Sequence, residues 1–276
     1  MKNKIFITIL AVGLMFSSSF AQVESQARFD IPTQEQTLET YGQVSEFELS
    51  KTIKILSWNV KKAELEGWAE DFKKLSADYD LLAIQEAASN SIFLNEIQRL
   101  STTFRSHFFV SWIKNKDKTR SGVLTTSRVG TVSTNWFRTK DLEPIVKTPK
   151  ITGVTEYKIK GSSKTLKLIN IHAINISSVE KLESHLRGSL QFVKNHTGPV
   201  VFIGDFNTWS KKRLNLAIKI CAEFGLKHYD YERLKVPDVM SDLDRVFVRG
   251  AKVNKVEMLD IRTSDHFPVS LEISVP

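Results

Sequence analysis

Six short apolar runs in this chain each end at, or lead into, a side chain able to do chemistry. Asn59 ends KILSWN, Glu86 ends LLAIQE, His172 ends LINIH, Asp205 and Asn207 end VVFIGDFN, Asp244 opens LDRVFV, and Asp265 with His266 precedes FPVSLEI. Short apolar runs bounded by turn formers read as strands, and strands of one sheet deliver their terminal residues to its edge. Singly, each polar residue has an ordinary use: a Gly-Asp after a strand is a turn, and a strand-end histidine is a hydrogen-bonded structural group. Six such places together demand a fold in which the ends converge.

The pattern around them alternates strands with amphipathic helices. Strands are expected at residues 53–60, 81–85, 107–113, 123–127, 131–137, 151–158, 165–172, 200–203, 243–248, 253–259 and 269–273. Helical spacing joins Leu65, Trp68, Phe72 and Leu75, then Phe93, Ile97 and Leu100, then Val179, Leu182, Leu186, Leu190 and Val193, and last Leu214 to Phe224. Ser177 with Glu180 fits a capping box for the third helix, and Gly225 stops the fourth. βα units at both ends, with hairpin-like spacing over residues 121–172, predict mixed sheets in an α/β protein. There is no internal repeat and no P-loop, GxGxxG or GxSxG pattern. With 276 residues, 41% of them hydrophobic, the chain can bury a core, which excludes a disordered or collagenous polymer. Its single cysteine excludes an intrachain disulfide and a thiolate zinc site. At helical spacing with Leu214, Ala217, Ile218 and Phe224, Cys221 reads as a buried core thiol.

Three segments follow from composition. Residues 1–21 carry Lys2 and Lys4, the apolar run Ile5 to Phe16 and a small-residue stretch ending at Ala21, the layout of a secretory signal. The expectation is an exported, periplasmic or secreted protein without a permanent span, since the run is shorter than the ~20 residues that cross a bilayer. Residues 22–50 pair Arg28 with six acids, are poor in apolar residues and read as an acidic flexible leader, either a plain linker or an arm over a basic site. Residues 51–276 form the body of the chain, a single domain, and hold a net charge near +11, in a chain of +8 overall, which attracts polyanions such as nucleic acid or anionic lipid.

If the strands converge, Glu86, Asp205, Asp244 and Asp265 crowd four carboxylates, whose repulsion requires a positive partner. His172, His266, Arg245 and a divalent cation are the candidates. Hard oxygen donors with no thiolate suit Mg²⁺, or Mn²⁺ as the alternative, and a hard cation on one or two carboxylates presents phosphate oxygens for attack. Asp205 and Asn207, two apart in an extended chain, would share a side and handle a water and a phosphate oxygen. Asp244 would orient His266 by accepting its other N–H, Asp265 beside it would serve the metal, and His172 would protonate a leaving alkoxide.

The ordered set KILSWN, IQEA, NIHAIN, GDFNTW, LDRVFV and SDHFPV resembles the endonuclease/exonuclease/phosphatase superfamily, the deoxyribonuclease I-like fold, over residues 52–276. The resemblance implies a four-layer α/β/β/α sandwich of two packed mixed sheets with the site at one end. It makes Glu86 similar to the family's metal-binding glutamate, with Asn59 beside it. It also implies that His172 matches the first catalytic histidine of the deoxyribonuclease and sphingomyelinase branches. Asp205 and Asn207 match the pair that handles water and phosphate, Asp244 the partner of the second histidine, and Asp265 with His266 the terminal pair. The family's further phosphate contacts have no clear counterpart; Arg120 and Lys150 are the candidates. Unlike secreted animal deoxyribonucleases, this chain can form no disulfide.

The leading expectation is an exported, monomeric, Mg²⁺-dependent phosphodiesterase, an endonuclease acting on DNA or RNA. Basic stretches at Lys114 to Arg120, Lys158 to Lys167 and Lys211 to Arg213 would support it if they shared one face. The alternative is a sphingomyelinase-like or other lipid or small-molecule phosphoesterase, which needs an exposed apolar loop; Trp112-Ile113 and Trp136-Phe137 read as core strand residues instead. A non-catalytic nucleic-acid module is the third reading, against which the complete set of chemical groups speaks.

Overall fold

Apolar runs as continuous as LLAI and VVFI belong to strands buried on both faces, and the computed structural model shows what covers each face. It describes residues 28–234 and 243–276, so the signal reading of residues 1–21 and the first part of the leader lie outside the described residues. In chain order the elements are β1 (Phe29–Asp30), β2 (Leu38–Tyr41), β3 (Glu48–Leu49), β4 (Thr52–Asn59), α1 (Trp68–Ala77), β5 (Leu81–Ala88), α2 (Ser91–Leu100), β6 (Arg105–Lys114), β7 (Arg120–Ser127), β8 (Ser133–Arg138), β9 (Ile151–Ile159), β10 (Thr165–His172), α3 (Val179–Leu190), β11 (Val200–Asp205), α4 (Lys211–Glu223), β12 (Lys227–Tyr229), β13 (Asp244–Arg249), β14 (Lys252–Met258) and β15 (Val269–Ser274). One sheet runs β1-β6-β7-β5-β4-β15-β14 with β2 also on β6; the other runs β12-β13-β11-β10-β9-β3 with β8 also on β9.

Period-two alternation sorts each central strand between two cores. On β4, Ile53 and Ile55 face the second sheet, where they meet Leu166 and Leu168 of β10 and Val201 and Ile203 of β11. Its opposite face gives Leu56 and Trp58 to Trp68 and Phe72 of α1 and Phe93 and Ile97 of α2. On the second sheet Ile169, Ile171, Val200 and Phe202 point outward onto Leu182 and Leu186 of α3 and Ala217, Ile220 and Cys221 of α4. The layers are therefore α/β/β/α, and each such aliphatic side chain contributes about 1.5–3 kcal/mol by leaving water. Cys221 is fully buried, as its helical spacing predicts. The fourth helix ends at Gly225 (φ +75°), where the Leu226 N–H donates to the Cys221 carbonyl and the Gly225 N–H to that of Ala222.

Strand direction then places the chemistry. β4 and β5 run parallel, with Asn59 opposite Gln85, and so do β10 and β11, with His172 opposite Asp205. β13 and β15 run antiparallel to their neighbours and so begin where those end: Asp244 faces Asp205, and Val269 faces Ser57. All six chemical termini consequently emerge at one end of both sheets.

Two local expectations differ from the structure. From residue 28 on, the acidic leader is not a detached segment: β1 and β2 pair with β6, and β3 pairs with β9. These strands are two to four residues long and are held by hydrogen bonds to the body, so they carry no hydrophobic period of their own. The capping box also shifts: Ser178, not Ser177, caps α3, and without a side-chain hydrogen bond to the helix backbone. β12 likewise has no counterpart among the expected strands, being a three-residue edge against β13.

His107 on β6 ties the leader down, its Nδ1 3.1 Å from the Thr40 hydroxyl of β2 and its Nε2 3.1 Å from that of Thr131. Burial, helped by Arg105, pushes its pKa down from 6.5 to about 4. A histidine harder to protonate folded than unfolded leaves full stability above pH 6.5, and that stability drains away as pH falls toward 4. At ~1.36 kcal/mol per pH unit the loss is about 3 kcal/mol, and urea midpoints measured across this window should lose that slope in His107→Asn. An unchanged slope would remove His107 as its source.

Candidate active site

β5 carries the most distorted backbone at the converged end. Its register with β7 slips between Ile84 and Ala87, and Glu86 adopts φ +51° at the bulge. A non-glycine residue held in the left-handed region costs of order 1 kcal/mol or more and persists where the surroundings dictate it. The bulge turns the Glu86 carboxylate out of the strand alternation, toward Asn59, whose Nδ2 lies 3.4 Å from Glu86 Oε1 and 3.2 Å from Asp205 Oδ2. Asn59 Oδ1 accepts from the Lys61 N–H at 3.1 Å.

Asp205 is the hub. Its Oδ1 accepts the Asn207 backbone N–H at 2.9 Å, and Oδ2 lies 3.5 Å from His172 Nε2. Asn207 has φ +49°, so the chain turns here and does not stay extended as the sequence pattern suggested. The turn still aims Asn207 at the site, with Nδ2 donating to the Ala173 carbonyl at 2.8 Å. Gly204 (φ +139°) precedes this turn, where any Cβ would collide with the Ile171 carbonyl of β10.

His266 Nδ1 sits 2.8 Å from Asp244 Oδ2, the orienting contact expected. Ser264 Oγ, donating to the Asn59 carbonyl at 2.6 Å, and Trp58 Nε1, donating to the His266 carbonyl at 3.0 Å, fasten this loop to β4. Asp265 lies 3.5 Å from Lys61 Nζ. Burial disfavours a charge on His266, but Asp244, then Asp205 and Asp265, outweigh it and lift the pKa to about 10. The surrounding carboxylates therefore favour the imidazolium form of His266. Burial raises the pKa of Asp205 to about 6, with His266 opposing and Asp244 reinforcing. The environment thus pushes the two groups apart, raising the pKa of both but leaving Asp205 far the easier of the two to deprotonate.

His172 is held the other way. Burial and the neighbouring Lys150 push its pKa well below 6.5. Lys150 Nζ lies 3.1 Å from His172 Nε2, and an ammonium can only donate, so the ring keeps its proton on Nδ1. Lys150 also lies 3.4 Å from Glu143 Oε1, while the Asn175 N–H donates to that oxygen at 3.0 Å. His172, Glu86 and Lys150 line both of two adjoining cavities, of about 570 and 250 Å³. Asp205, Asn207, Asp265 and His266 line the smaller one.

Glu86, Asn59, His172, Asp205, Asn207, Asp244, Asp265, His266 and Lys150 are thus brought together. Arg120 is not: its guanidinium pairs with Glu39 of β2 at 2.9 Å and lines neither cavity. The pairing comes from a leader strand whose presence no local pattern announced. Sequence reasoning also missed Glu143, Lys61 and Arg213. Arg213 is 1% exposed and donates to the carbonyls of Asn207 (2.7 Å), Ser177 (2.9 Å) and Ile174 (2.6 Å), so it joins the two loops that carry Asn207 and Asn175. Its signal was available, since Arg213 shares the buried face of α4 with Ala217, Ile220 and Cys221.

Among the described residues no three carboxylate, imidazole or thiolate groups gather closely enough to form a cage for a metal. The donors instead fit a hard cation held by one or two carboxylates. Glu86 and Asp265 both open onto the smaller cavity. Next to it, among the described residues, the second oxygen of the carboxylate that holds His266, Asp244 Oδ1, is buried without a hydrogen-bond partner.

Comparison with known proteins agrees with this frame. The chain is 30% identical over 232 residues to the UPF0294 protein of Erwinia tasmaniensis, covering 81% of each. Among solved structures, a humanized TDP2 of D. rerio superposes with a TM-score of 0.60 at 14% identity, over 82% of this chain and 100% of that one. A mannosyl-6-phosphatase of Bacteroides thetaiotaomicron gives 0.59 at 16%, over 80% and 99%. The sequence model of the Endonuclease/Exonuclease/phosphatase family matches residues 56–266, and the chain belongs to that family.

Proposed function

We propose that this protein hydrolyses phosphodiesters by attack of water on a phosphate seated between the two cavities. Members of the family are phosphoester hydrolases. The observation that carries the diester reading is that Glu86, Lys150 and His172 line both cavities, so each arm of a diester has its own space. A monoester would leave one of them unused. Glu86 and Asp265, with Asn59 beside Glu86, would hold a hard divalent cation such as Mg²⁺, which when bound neutralises charge on the phosphoryl oxygens. Asp205 takes a proton from water, at a pKa of about 6 that suits a base near neutrality. Asn207 orients that water, and His266, fixed by Asp244, donates to a phosphoryl oxygen. His172, neutral and with Nε2 facing the Lys150 ammonium, is not the acid expected for the leaving alkoxide; Lys150 supplies positive charge on that side, and the alkoxide takes its proton from solvent water. Residues 1–21 are proposed to export the chain, and the +11 charge of residues 51–276 favours nucleic acid as one diester class.

The basic stretches support that class unevenly. Lys114 is paired with Asp117, Lys118 with Asp30 and Arg120 with Glu39, while the β9–β10 hairpin bearing Lys160 and Lys164 lies at the far end from His172. Arg213 is buried. A lipid diester is the second reading, favoured by exposed apolar loops around the mouth.

The full chain with Mg²⁺, offered plasmid DNA, RNA, phospholipid vesicles and soluble chromogenic mono- and diesters, is expected to cleave a diester. EDTA and Glu86→Ala should each abolish turnover. Cleavage surviving in Glu86→Ala would show that the cation site is misplaced, and hydrolysis of the monoester alone would overturn the diester reading.

A further inference from the structure

Burial leaves few large apolar side chains in water, and their positions are uneven. Among the described residues ten large hydrophobics are exposed, and five of them, Leu142, Ile145, Val146, Ile176 and Trp209, stand on three loops at the mouth of the site. Ile145 is 74% exposed, and Ile176 and Trp209 are 57% exposed. Pro144, Ile145, Val146 and Ile176 line the smaller cavity directly, beside Asp205 and His266. Trp209 joins the same rim through Arg213, whose guanidinium lies 5.4 Å over its ring and donates to the carbonyls of Ile174 and Ser177. A soluble surface scatters such residues singly, so a cluster around a reactive mouth marks a contact surface.

The charge beside these side chains selects the partner. Lys140 and Lys147 flank the first loop and Lys211 and Lys212 follow Trp209, all exposed. The two acids of the first loop are already engaged, Asp141 3.3 Å from Lys181 and Glu143 buried against Lys150; the loops at 174–177 and 208–212 contain no acid, and Glu180 in the first turn of α3 adds an exposed carboxylate. Apolar tips flanked by lysines, with a tryptophan at the edge, match a bilayer interface with anionic headgroups, where the tips enter the acyl boundary and each lysine gains from the surface potential. A polynucleotide offers no apolar layer to receive Ile145 and Ile176. No helix among the described residues is long and apolar enough to cross a membrane, so attachment by this rim is peripheral.

We propose that the loops at residues 140–147, 174–177 and 208–212 form a docking surface for an anionic bilayer and present a lipid-headgroup phosphodiester to the site. As to substrate, the proposal rests on the phosphodiesterase reading; as to docking, it stands on the rim alone. Docking over the mouth also lowers the dielectric around His266, which strengthens its hold on a phosphoryl oxygen.

The test is co-sedimentation of the full chain with vesicles of phosphatidylcholine, alone or mixed with phosphatidylglycerol, beside turnover of a soluble diester. The wild type is expected to bind the mixed vesicles about tenfold more tightly than the neutral ones, and to weaken as salt rises from about 0.15 to about 1 M. Ile145→Ser and Trp209→Ser should each lower binding about tenfold, and Lys147→Glu with Lys211→Glu should abolish the preference for the anionic lipid. All four positions are exposed, so the variants keep the core, and every variant retains the apolar run at residues 5–16. Equal binding by wild type and rim variants therefore overturns the docking surface. Rim-dependent binding of a DNA oligomer with none to vesicles overturns the membrane assignment in favour of a polynucleotide. Rim-dependent vesicle binding without turnover of the soluble diester supports the docking surface and sinks the hydrolase reading; turnover without rim-dependent binding does the reverse.

Discussion

Asp205→Asn is expected to lower kcat/KM for a soluble phosphodiester about 10³-fold with no loss of thermal stability. Asparagine keeps the volume and an oxygen to accept the Asn207 N–H, which donates to Asp205 Oδ1 at 2.9 Å, so the turn at Asn207 survives. What disappears is the group able to accept a proton. Asp205 is 2% exposed and its register partner across the sheet is a second carboxylate, Asp244. An ionised carboxylate in that position opposes folding, and removing the charge relieves the repulsion. The melting temperature should therefore stay level or rise while turnover collapses, with the loss in kcat and little change in KM. Stability that is spent at a reactive group behaves this way, whereas a merely structural aspartate would cost stability when replaced. Activity within tenfold of wild type would remove Asp205 as the base.

The largest stability effect is expected at Arg213. Arg213→Ala strips the donors from three carbonyls, those of Asn207, Ser177 and Ile174, and opens a cavity against α4. Two of these acceptors, the carbonyls of Asn207 and Ile174, are buried; each left without a partner costs about 1–3 kcal/mol, which puts the loss in unfolding free energy at about 2–6 kcal/mol. Arg213→Lys should recover only part, because one ammonium on a flexible stem cannot reproduce a planar fork spread over three oxygens. Urea denaturation measures the change, and a loss below about 1 kcal/mol would show that the loops hold their positions without the guanidinium. At permissive temperature the alanine variant should also turn over more slowly, since Asn207 stands on the loop that Arg213 secures.

The regular part of the fold was legible because burial on both faces writes itself into composition: LLAI and VVFI can only be central strands. The helices were legible from spacing alone. The short strands β1, β2, β3 and β12 were not, since two to four residues contain no period and each is held by backbone hydrogen bonds to a partner far along the chain. At the site, Glu86, Asp205 and His266 were legible as residue types at strand ends. The pairing of Arg120 with Glu39, the contact of Lys150 with His172, the bond from the Asn175 N–H to Glu143 and that from Asn207 to the Ala173 carbonyl join residues 81, 22, 32 and 34 positions apart. No local pattern encodes them.

The exposed rim shows the limit most clearly. Leu142, Ile145 and Val146 look in sequence like any core segment, and Trp112-Ile113 and Trp136-Phe137 looked no different. Whether an apolar side chain is covered depends on what packs over it, and that is a property of the assembled layers.

By itself, the order of residues determined the layers, the end at which chemistry collects and the side chains gathered there, because hydrophobic period and strand direction are local and additive. Only the tertiary structure decided which histidine its neighbours favour as a cation, which carboxylate burial makes harder to ionise and which apolar loops remain in water. Protonation follows from the dielectric and the charges surrounding a group, exposure follows from its neighbours, and both exist only once distant segments have met.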